Sequence, residues 1–317
     1  MHRQRSEFDS AAIAAELTAV IVAVTDGEPR VLTIDRGAAL PSGPFEPGHR
    51  SLQAGLRSWV ETQTHHPLGY VEQLYTFADL DRKKEARGRA VSVSYLGLTR
   101  EAPTAQGWDA AWAPWYRFFP WEDFRGAGAT LSDSVLAPAL HAWAERANDP
   151  AIARDRIRRI AINFGQAGQK WNEELVLQRY ELLWEAGLVA ESLSPTACLP
   201  DGLAAALGTP MHHDHRRILA TGVARLRAKI KYRPVVFELM PPAFTLLQLQ
   251  RTVEALAGRL LHKQNFRRLI DQQDLVEETG EVTTETGGRP AKLFRFRGEV
   301  LAERLVAGSK LPMVRAV

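Results

Sequence analysis

The sequence predicts an α+β chain: a mixed-sheet domain, a helical insertion, and a small C-terminal domain of two helices and a β-hairpin. Three observations predict it. Up to about residue 121, short β-branched runs alternate with an amphipathic helical pattern. Between 122 and 210 the strand signal gives way to helical periodicity alone. Beyond 235, two amphipathic segments a few residues apart precede two strand-like runs around a TGGRP turn. A length of 317 residues accommodates two compact domains and an insertion.

The elements follow in order. TAVIVAVT (18–25) and PRVLTI (29–34) flank DGE and are expected to pair as a hairpin. SLQAGLRSWVET puts Leu52, Leu56, Trp59 and Val60 on one helical face. YVEQLYTFADL and AVSVSYLGLT are further strands, the second with Val91, Val93 and Tyr95 on one side; DRKKEARGR between them is a charged turn. GWDAAWAPWYRFFPWEDF carries Trp108, Trp112, Trp115 and Trp121, a density expected of a packed core, with a ligand-stacking wall as the alternative. SVLAPALHAWAERA, AIARDRIRRIAINF and NEELVLQRYELLWEAG are helical, the last stopping at Gly187, and SLSPTACLPDG is a loop. DHRRILATGVARLRAKI is a helix with Asp214 as N-cap and Ile218, Leu219, Val223, Leu226 and Ile230 as its apolar stripe. The histidines of HHDH (212–215) are contiguous rather than one helical turn apart, so they mark a helix start rather than a metal site.

In the C-terminal part, PVVFELMP is a short helix or turn, and FTLLQLQRTVEALAG is a helix capped by Thr245 and stopped by Gly258. LHKQNFRRLIDQQ is a second helix, and LVEETGEVTTETGGRPAKLFRFRG is strand, turn, strand. Helix, short turn, helix, β-hairpin is the succession of a winged helix-turn-helix. Phe266, Leu269 and Ile270 share the face expected to be buried; Gln264 and Arg268 lie about 160–200° away, flanked by Asn265 and Arg267, with Lys263 at the helix start. These are donor-rich side chains suited to base edges and phosphates, to which the wing adds Arg289 and Lys292, and Thr245 is a further candidate contact.

Composition excludes several classes. A net charge of +3 permits nucleic-acid binding without arguing for it. The lone cysteine, Cys198, rules out an internal disulfide and fits a reducing cytoplasm. No apolar run reaches the roughly 18 residues of a membrane span, and no signal peptide is evident. Heavy use of Ala, Leu and Arg suggests a bacterial source.

The stretch GPFEPGHRSLQAGLRSWVETQTHH (43–66) has the spacing of a Nudix box, which is a glycine, five residues, a glutamate, seven residues, then Arg-Glu-apolar-any-Glu-Glu-any-Gly-apolar. Gly43, Arg57 and Glu61 match, whereas His49, Ser58 and Thr62 stand where glutamates belong and Thr64 replaces the last glycine. Hydrolysis of a diphosphate by such a box needs divalent metal, and hard cations want several carboxylate oxygens. The sequence therefore predicts a scaffold without catalytic or metal-binding residues, in which Arg57 and Glu61 pair across one helical turn.

With a Nudix-like front and a winged-helix back, the chain resembles the Nudix-related regulators of bacterial NAD metabolism (NrtR). FELMPPAFTLLQLQRTVEALAGRLLHKQNFRRLIDQQDLVEETGE and GRPAKLFRF carry the C-terminal resemblance; YVEQLYTFADLDR, GRAVSVSYLGL and DHRRILATGVARLRAKIKYRPV carry the rest. It covers roughly 11–121 and 211–300, not the insertion. The degenerate box and long insertion look most like the NadQ branch. The resemblance implies a Nudix-like sensing domain (11–121 plus 211–234), the insertion (122–210) and a winged helix-turn-helix domain (235–317). It also implies a homodimeric repressor of NAD biosynthesis or salvage genes on a palindromic operator, answering to NAD, ATP or ADP-ribose as a regulatory ligand rather than a catalytic cofactor. The expected nucleotide site lies between the box helix and the charged turn, with Arg57, Arg82, Arg87 and Arg89 for phosphates and Tyr75 or Phe77 for a base. The alternatives are a Nudix hydrolase of ADP-ribose or a related diphosphate, and a protein-interaction adaptor working through the insertion.

Overall fold

The structure, a computed structural model, describes residues 14–69, 71–78, 90–102, 109–193, 201–232, 235–284 and 290–298. The charged turn with Arg82, Arg87 and Arg89, the wing residue Arg289, Trp108, and most of the SLSPTACLPDG loop with Cys198 lie outside the described residues.

A mixed sheet organises the first part. Its strands are β1 (Ala14–Thr25), β2 (Glu28–Thr33), β3 (Ser42–Pro44), β4 (Val71–Phe77), β5 (Ala90–Leu98) and β6 (Ala111–Pro114), with helix α1 (Leu52–Thr64) between β3 and β4. The order is β4-β5-β1-β2-β6, with β3 also on β1. β1 and β2 form the expected hairpin, turning at Asp26 and Gly27, both at positive φ (52° and 74°), which is why Asp-Gly suits the turn. β5 runs parallel to β1, and the remaining pairings are antiparallel.

Alternation along β1 gives the sheet two buried faces. Leu17, Ala19 and Ile21 join Val93 and Tyr95 against Leu56 and Val60 of α1. Val20 and Val22, with Leu96 and Leu98, enter a larger core under α7 (His215–Tyr232) and the insertion. α7 approaches closely because Gly222 has no side chain; a Cβ there would lie 2.9 Å from Val20. Its expected stripe holds: Ile218, Leu219, Val223 and Leu226 are buried, and Ile230 packs at the margin.

The insertion is helical, as its periodicity predicts. α2 (Gly128–Leu131) runs through a π-helical turn at Ser132–Leu136 into α3 (Ala137–Glu145). α4 (Pro150–Phe164) starts at an Asp149 cap with proline in its first turn and stops at Gly165 in the left-handed region. α5 (Val176–Glu185) is shorter than the sequence suggests, since residues 172–175 form a turn before it; α6 (Asp201–Ala206) is a brief helix. Trp115 and Trp121 are fully buried with Phe118 and Phe119, so the tryptophan-rich segment is core and not an open stacking wall.

After a 3₁₀ turn at Val235–Leu239 come α8 (Leu246–Ala257), α9 (Lys263–Gln273), β7 (Val276–Thr283) and β8 (Ala291–Phe296). β7 and β8 pair as a hairpin, and Phe244 bridges to Phe294. The chain thus combines a Nudix-like mixed sheet with a C-terminal winged helix. Phe244, Leu249, Leu256, Phe266, Ile270 and Phe296 form the winged-helix core, which is continuous with that beneath the sheet and insertion.

Candidate nucleic-acid interface and ligand domain

α8 is built as its sequence predicts. Thr245 Oγ1 accepts from the Gln248 amide at 3.2 Å while the Gln248 side chain accepts from the Thr245 amide at 2.7 Å; Gly258 closes the helix in the left-handed region. This corrects one expectation: Thr245 is 2% exposed and its hydroxyl is committed to the cap, so it offers nothing to DNA.

The turn between α8 and α9 is fixed by two buried side chains that periodicity does not reveal. Glu254 Oε1 accepts from the Leu261 amide at 2.8 Å and from Gln250 Nε2 at 2.9 Å, and the same Gln250 nitrogen donates to the Leu261 carbonyl at 3.0 Å. The sequence signal was the one-turn spacing of Gln250 and Glu254 on the inner face of α8.

α9 buries only Phe266 and Ile270; Leu269, expected beside them, is 49% exposed. The correction is geometric: at 100° per residue Leu269 sits about 80° from the midpoint of the other two, beyond the reach of a small domain's core. Lys263, Gln264, Asn265, Arg267 and Arg268 are all exposed, and among the described residues none has a side-chain hydrogen bond or ion pair. On the wing, Lys292 is exposed but paired with Glu278 at 2.9 Å, so it is not the free cation expected. Arg295 pairs with Glu277 at 2.7 Å and Arg297 with Asp274 at 2.6 Å. The described cations of the wing, Lys292, Arg295 and Arg297, are each paired with a carboxylate; those of α9 are not.

Behind α8 lies a buried ionic junction. Glu122 (1% exposed side chain) receives Arg179 Nε at 2.6 Å and Arg227 Nη1 at 2.6 Å, both arginines being fully buried. Burial alone would raise the Glu122 carboxyl, but the Arg179 and Arg227 charges outweigh it and hold the group below its ordinary value. Arg227 also donates to the Leu256 carbonyl at 2.9 Å, and Tyr116 Oη donates to that of Ala255 at 2.6 Å. The Phe124 amide donates to the Gly258 carbonyl at 2.7 Å. A Cβ at Gly258 would overlap the Glu122 carbonyl, a second reason for glycine there. The junction satisfies the last carbonyls of α8, which a helix end leaves unpaired.

In the Nudix-like domain the box keeps its loop–helix form and fills itself with rings. Trp59 Nε1 donates to the Pro44 carbonyl at 2.9 Å, and a Cβ at Gly43 would overlap the Trp59 ring. His49 stands edge-on to Trp59 at 6.3 Å between centroids and 5.9 Å from Phe45, and a Cβ at Gly55 would lie 2.7 Å from its Nδ1. Arg57 does not pair with Glu61 as expected; its guanidinium donates to the carbonyls of Leu68 and, at 2.6 Å, Gly69, tying the middle of α1 to the loop before β4. Phe77 is 5% exposed, with the Arg217 guanidinium 4.5 Å from its ring centroid, so it cannot stack on a base. Tyr75, 55% exposed, can. No group of three or more metal-ligating side chains occurs among the described residues, and His215 Nδ1 accepts from the Leu40 amide at 3.0 Å. A cavity of about 420 Å³ between the β1–β2 turn and α8 has mixed charge (Asp26, Asp123, Glu254 against Arg125, Arg251), and Arg125 is already bonded to Asp123 and the Gly27 carbonyl. No described helix is long and apolar enough to cross a membrane.

Residues 236–296 match the family model described as the NrtR DNA-binding winged helix domain. A curated relative, the ADPR responsive transcriptional repressor NtrR of Acinetobacter baylyi, is 41% identical over 91 residues, which is 29% of this chain and 36% of that protein. Shewanella oneidensis NrtR, crystallised with a 27mer DNA, has a TM-score of 0.55 at 21% identity over 91% of this chain and 95% of its own. A MutT/nudix family protein from Enterococcus faecalis has a TM-score of 0.52 at 17% identity, over 93% and 90% respectively. The C-terminal segment is therefore an NrtR-type winged helix domain, carried on a chain with the overall fold of NrtR.

Proposed function

We propose that this chain is a DNA-binding transcriptional repressor of NAD biosynthesis or salvage genes, controlled by an adenine nucleotide held in its Nudix-like domain. It acts as a cytoplasmic homodimer on a palindromic operator. Residues 11–121 with 211–234 form the sensor, 122–210 the insertion and 235–317 the DNA-binding unit. The observation that carries the proposal is the α9 face: Lys263, Gln264, Asn265, Arg267 and Arg268 are exposed and unpartnered on an NrtR-type winged helix domain. Arg268 and Gln264 serve base edges; Lys263 and Arg267, with Arg289 at the wing, serve phosphates. The regulatory half is supported by the name of the Acinetobacter relative, an ADPR responsive repressor. ADP-ribose is accordingly the first candidate signal, with NAD and ATP next. Tyr75 is the exposed ring for the base, and Arg82, Arg87 and Arg89 are the phosphate contacts.

The domain binds its nucleotide without hydrolysing it. Ser58 and Thr62 cannot supply the carboxylates a divalent cation requires, and His49 is packed between rings with Nδ1 accepting from the Glu46 amide. The test is a DNA selection from a random library with the full chain, followed by titration of ADP-ribose, NAD and ATP against the selected duplex. At least one nucleotide is expected to change DNA affinity and raise the melting temperature of the protein. Multiple-turnover release of ribose phosphate or AMP with Mg²⁺ or Mn²⁺, abolished by Glu61→Gln, would favour a diphosphate hydrolase instead.

A further inference from the structure

The exposed leucine on α9 has no explanation within its own domain. Phe266 (6% exposed) and Ile270 (7%) complete the contact of this helix with the core, yet Leu269 is held 49% open between polar neighbours. Its surroundings distinguish it from the other open apolar side chains described in the domain, Leu247 on α8, Leu260 in the turn and Val282 on the wing. Asn265, Arg268, Leu269 and Gln272 stand at i, i+3, i+4 and i+7 and form one continuous stripe. All four are exposed, and the three polar members have no side-chain partner among the described residues. The stripe is centred about 130° from the buried pair, against about 180° for Arg268 alone. The helix thus offers a mixed face, three hydrogen-bonding side chains with one apolar one along their core-side edge.

We propose that Leu269 is a specificity-determining residue that reads the C5-methyl group of a thymine in the major groove, resting on the DNA-binding function proposed above. The chemistry leaves little choice of occupant. Among the base-edge groups in the major groove the thymine methyl is the apolar one, and the rest are donors and acceptors. An apolar side chain set among Asn265, Arg268 and Gln272 fits a sequence in which a thymine adjoins bases read by hydrogen bonds. Asn265 and Gln272 suit adenine and Arg268 suits guanine, so the stripe specifies a short mixed sequence that includes a thymine. A leucine facing phosphates would gain nothing, so its presence places this stripe over the bases.

The experiment uses the full chain and the duplex it selects. Each thymine of one half-site is replaced in turn by uracil, which lacks only the methyl group, and affinity is measured for the native chain and for Leu269→Ala. Losing burial of one methyl is expected to weaken the native chain about three- to five-fold at one thymine. Leu269→Ala is expected to bind thymine and uracil equally at that position while keeping the native melting temperature, because the side chain is exposed. If Leu269→Ala discriminates uracil as the native chain does, or no thymine shows a loss, the assignment is overturned while DNA binding stands. A change of oligomeric state in Leu269→Ala with unchanged thymine dependence also overturns it and makes Leu269 a chain–chain contact. If the native chain selects no DNA, the DNA-binding function fails first and the assignment falls with it.

Discussion

Arg227 and Arg268 both serve the winged helix domain, one from within the fold and one at its surface. Arg227 is fully buried and shares Glu122 with Arg179 while donating to the Leu256 carbonyl. Arg268 is exposed, and no group among the described residues competes for its guanidinium. A buried guanidinium must be matched by charge and hydrogen bonds or it costs several kcal/mol, on the order of an entire domain's stability. An exposed one stays hydrated at little cost and remains available to a partner. On the proposed assignment, compensation separates the structural arginine from the DNA-binding one, more than residue type or local charge density does.

The largest expected effect comes from removing the compensation. Glu122→Gln leaves two arginines buried without their carboxylate and is expected to destabilise the fold by about 3–5 kcal/mol, read as a lowered midpoint in chemical or thermal unfolding. Tyr116→Phe removes one bond to the Ala255 carbonyl and is expected to cost about 1 kcal/mol. If Glu122→Gln unfolds like the native chain, the junction is not what holds α8. The pH dependence carries the same signature. The Glu122 carboxyl lies below its ordinary value in the folded chain, so its stabilisation is fully present above the unfolded value. It is lost as pH falls through the folded one. The acid limb of the stability curve should flatten in Glu122→Gln.

How much of this was legible in the sequence follows from the same contrast. The hairpin, the stripe of α7 and the cap and stop of α8 are local patterns, and each is present where its residues predict it. The junction was not legible, because Glu122 and Arg227 are 105 residues apart and their bond depends on how the insertion returns to the sheet. One trace existed. Arg216 and Arg227, both buried, are eleven residues apart and so about 20° out of phase, which puts two arginines on one inner face of α7. Leu269 and Phe77 were misplaced for the opposite reason. Periodicity says which residues share a face but not how wide a face the core covers: Tyr75 and Phe77 lie on one side of β4 with their ring centroids 4.8 Å apart, yet Tyr75 is open and Phe77 is buried. The fate of Arg57 depended on the Leu68 and Gly69 carbonyls, which no side-chain pattern announces.

The next effect is on recognition rather than folding. Arg268→Ala is expected to lose about 1–3 kcal/mol of discrimination between selected and random DNA, with a melting temperature close to native. A full specificity ratio at fixed salt would place Arg268 off the bases and break the contrast with Arg227 at its exposed end.

The smallest effects sharpen the contrast on the surface itself. Lys263 and Arg267 are unpaired, whereas Lys292 is held by Glu278 at 2.9 Å. A cation that meets a phosphate releases about one counterion, so Lys263→Ala or Arg267→Ala should lower the salt slope of DNA binding by about one. Lys292 begins from a compensated state. To meet a phosphate it must leave a carboxylate, and Glu278 would then face the backbone charge unneutralised. Lys292→Ala is therefore expected to change the slope by clearly less than one. Glu278→Gln, which frees the lysine and removes the repulsion, is expected to tighten binding to selected and random DNA alike. If Lys292→Ala matches Arg267→Ala in slope, the wing pair opens on binding and pairing in the free chain does not predict which cations meet DNA.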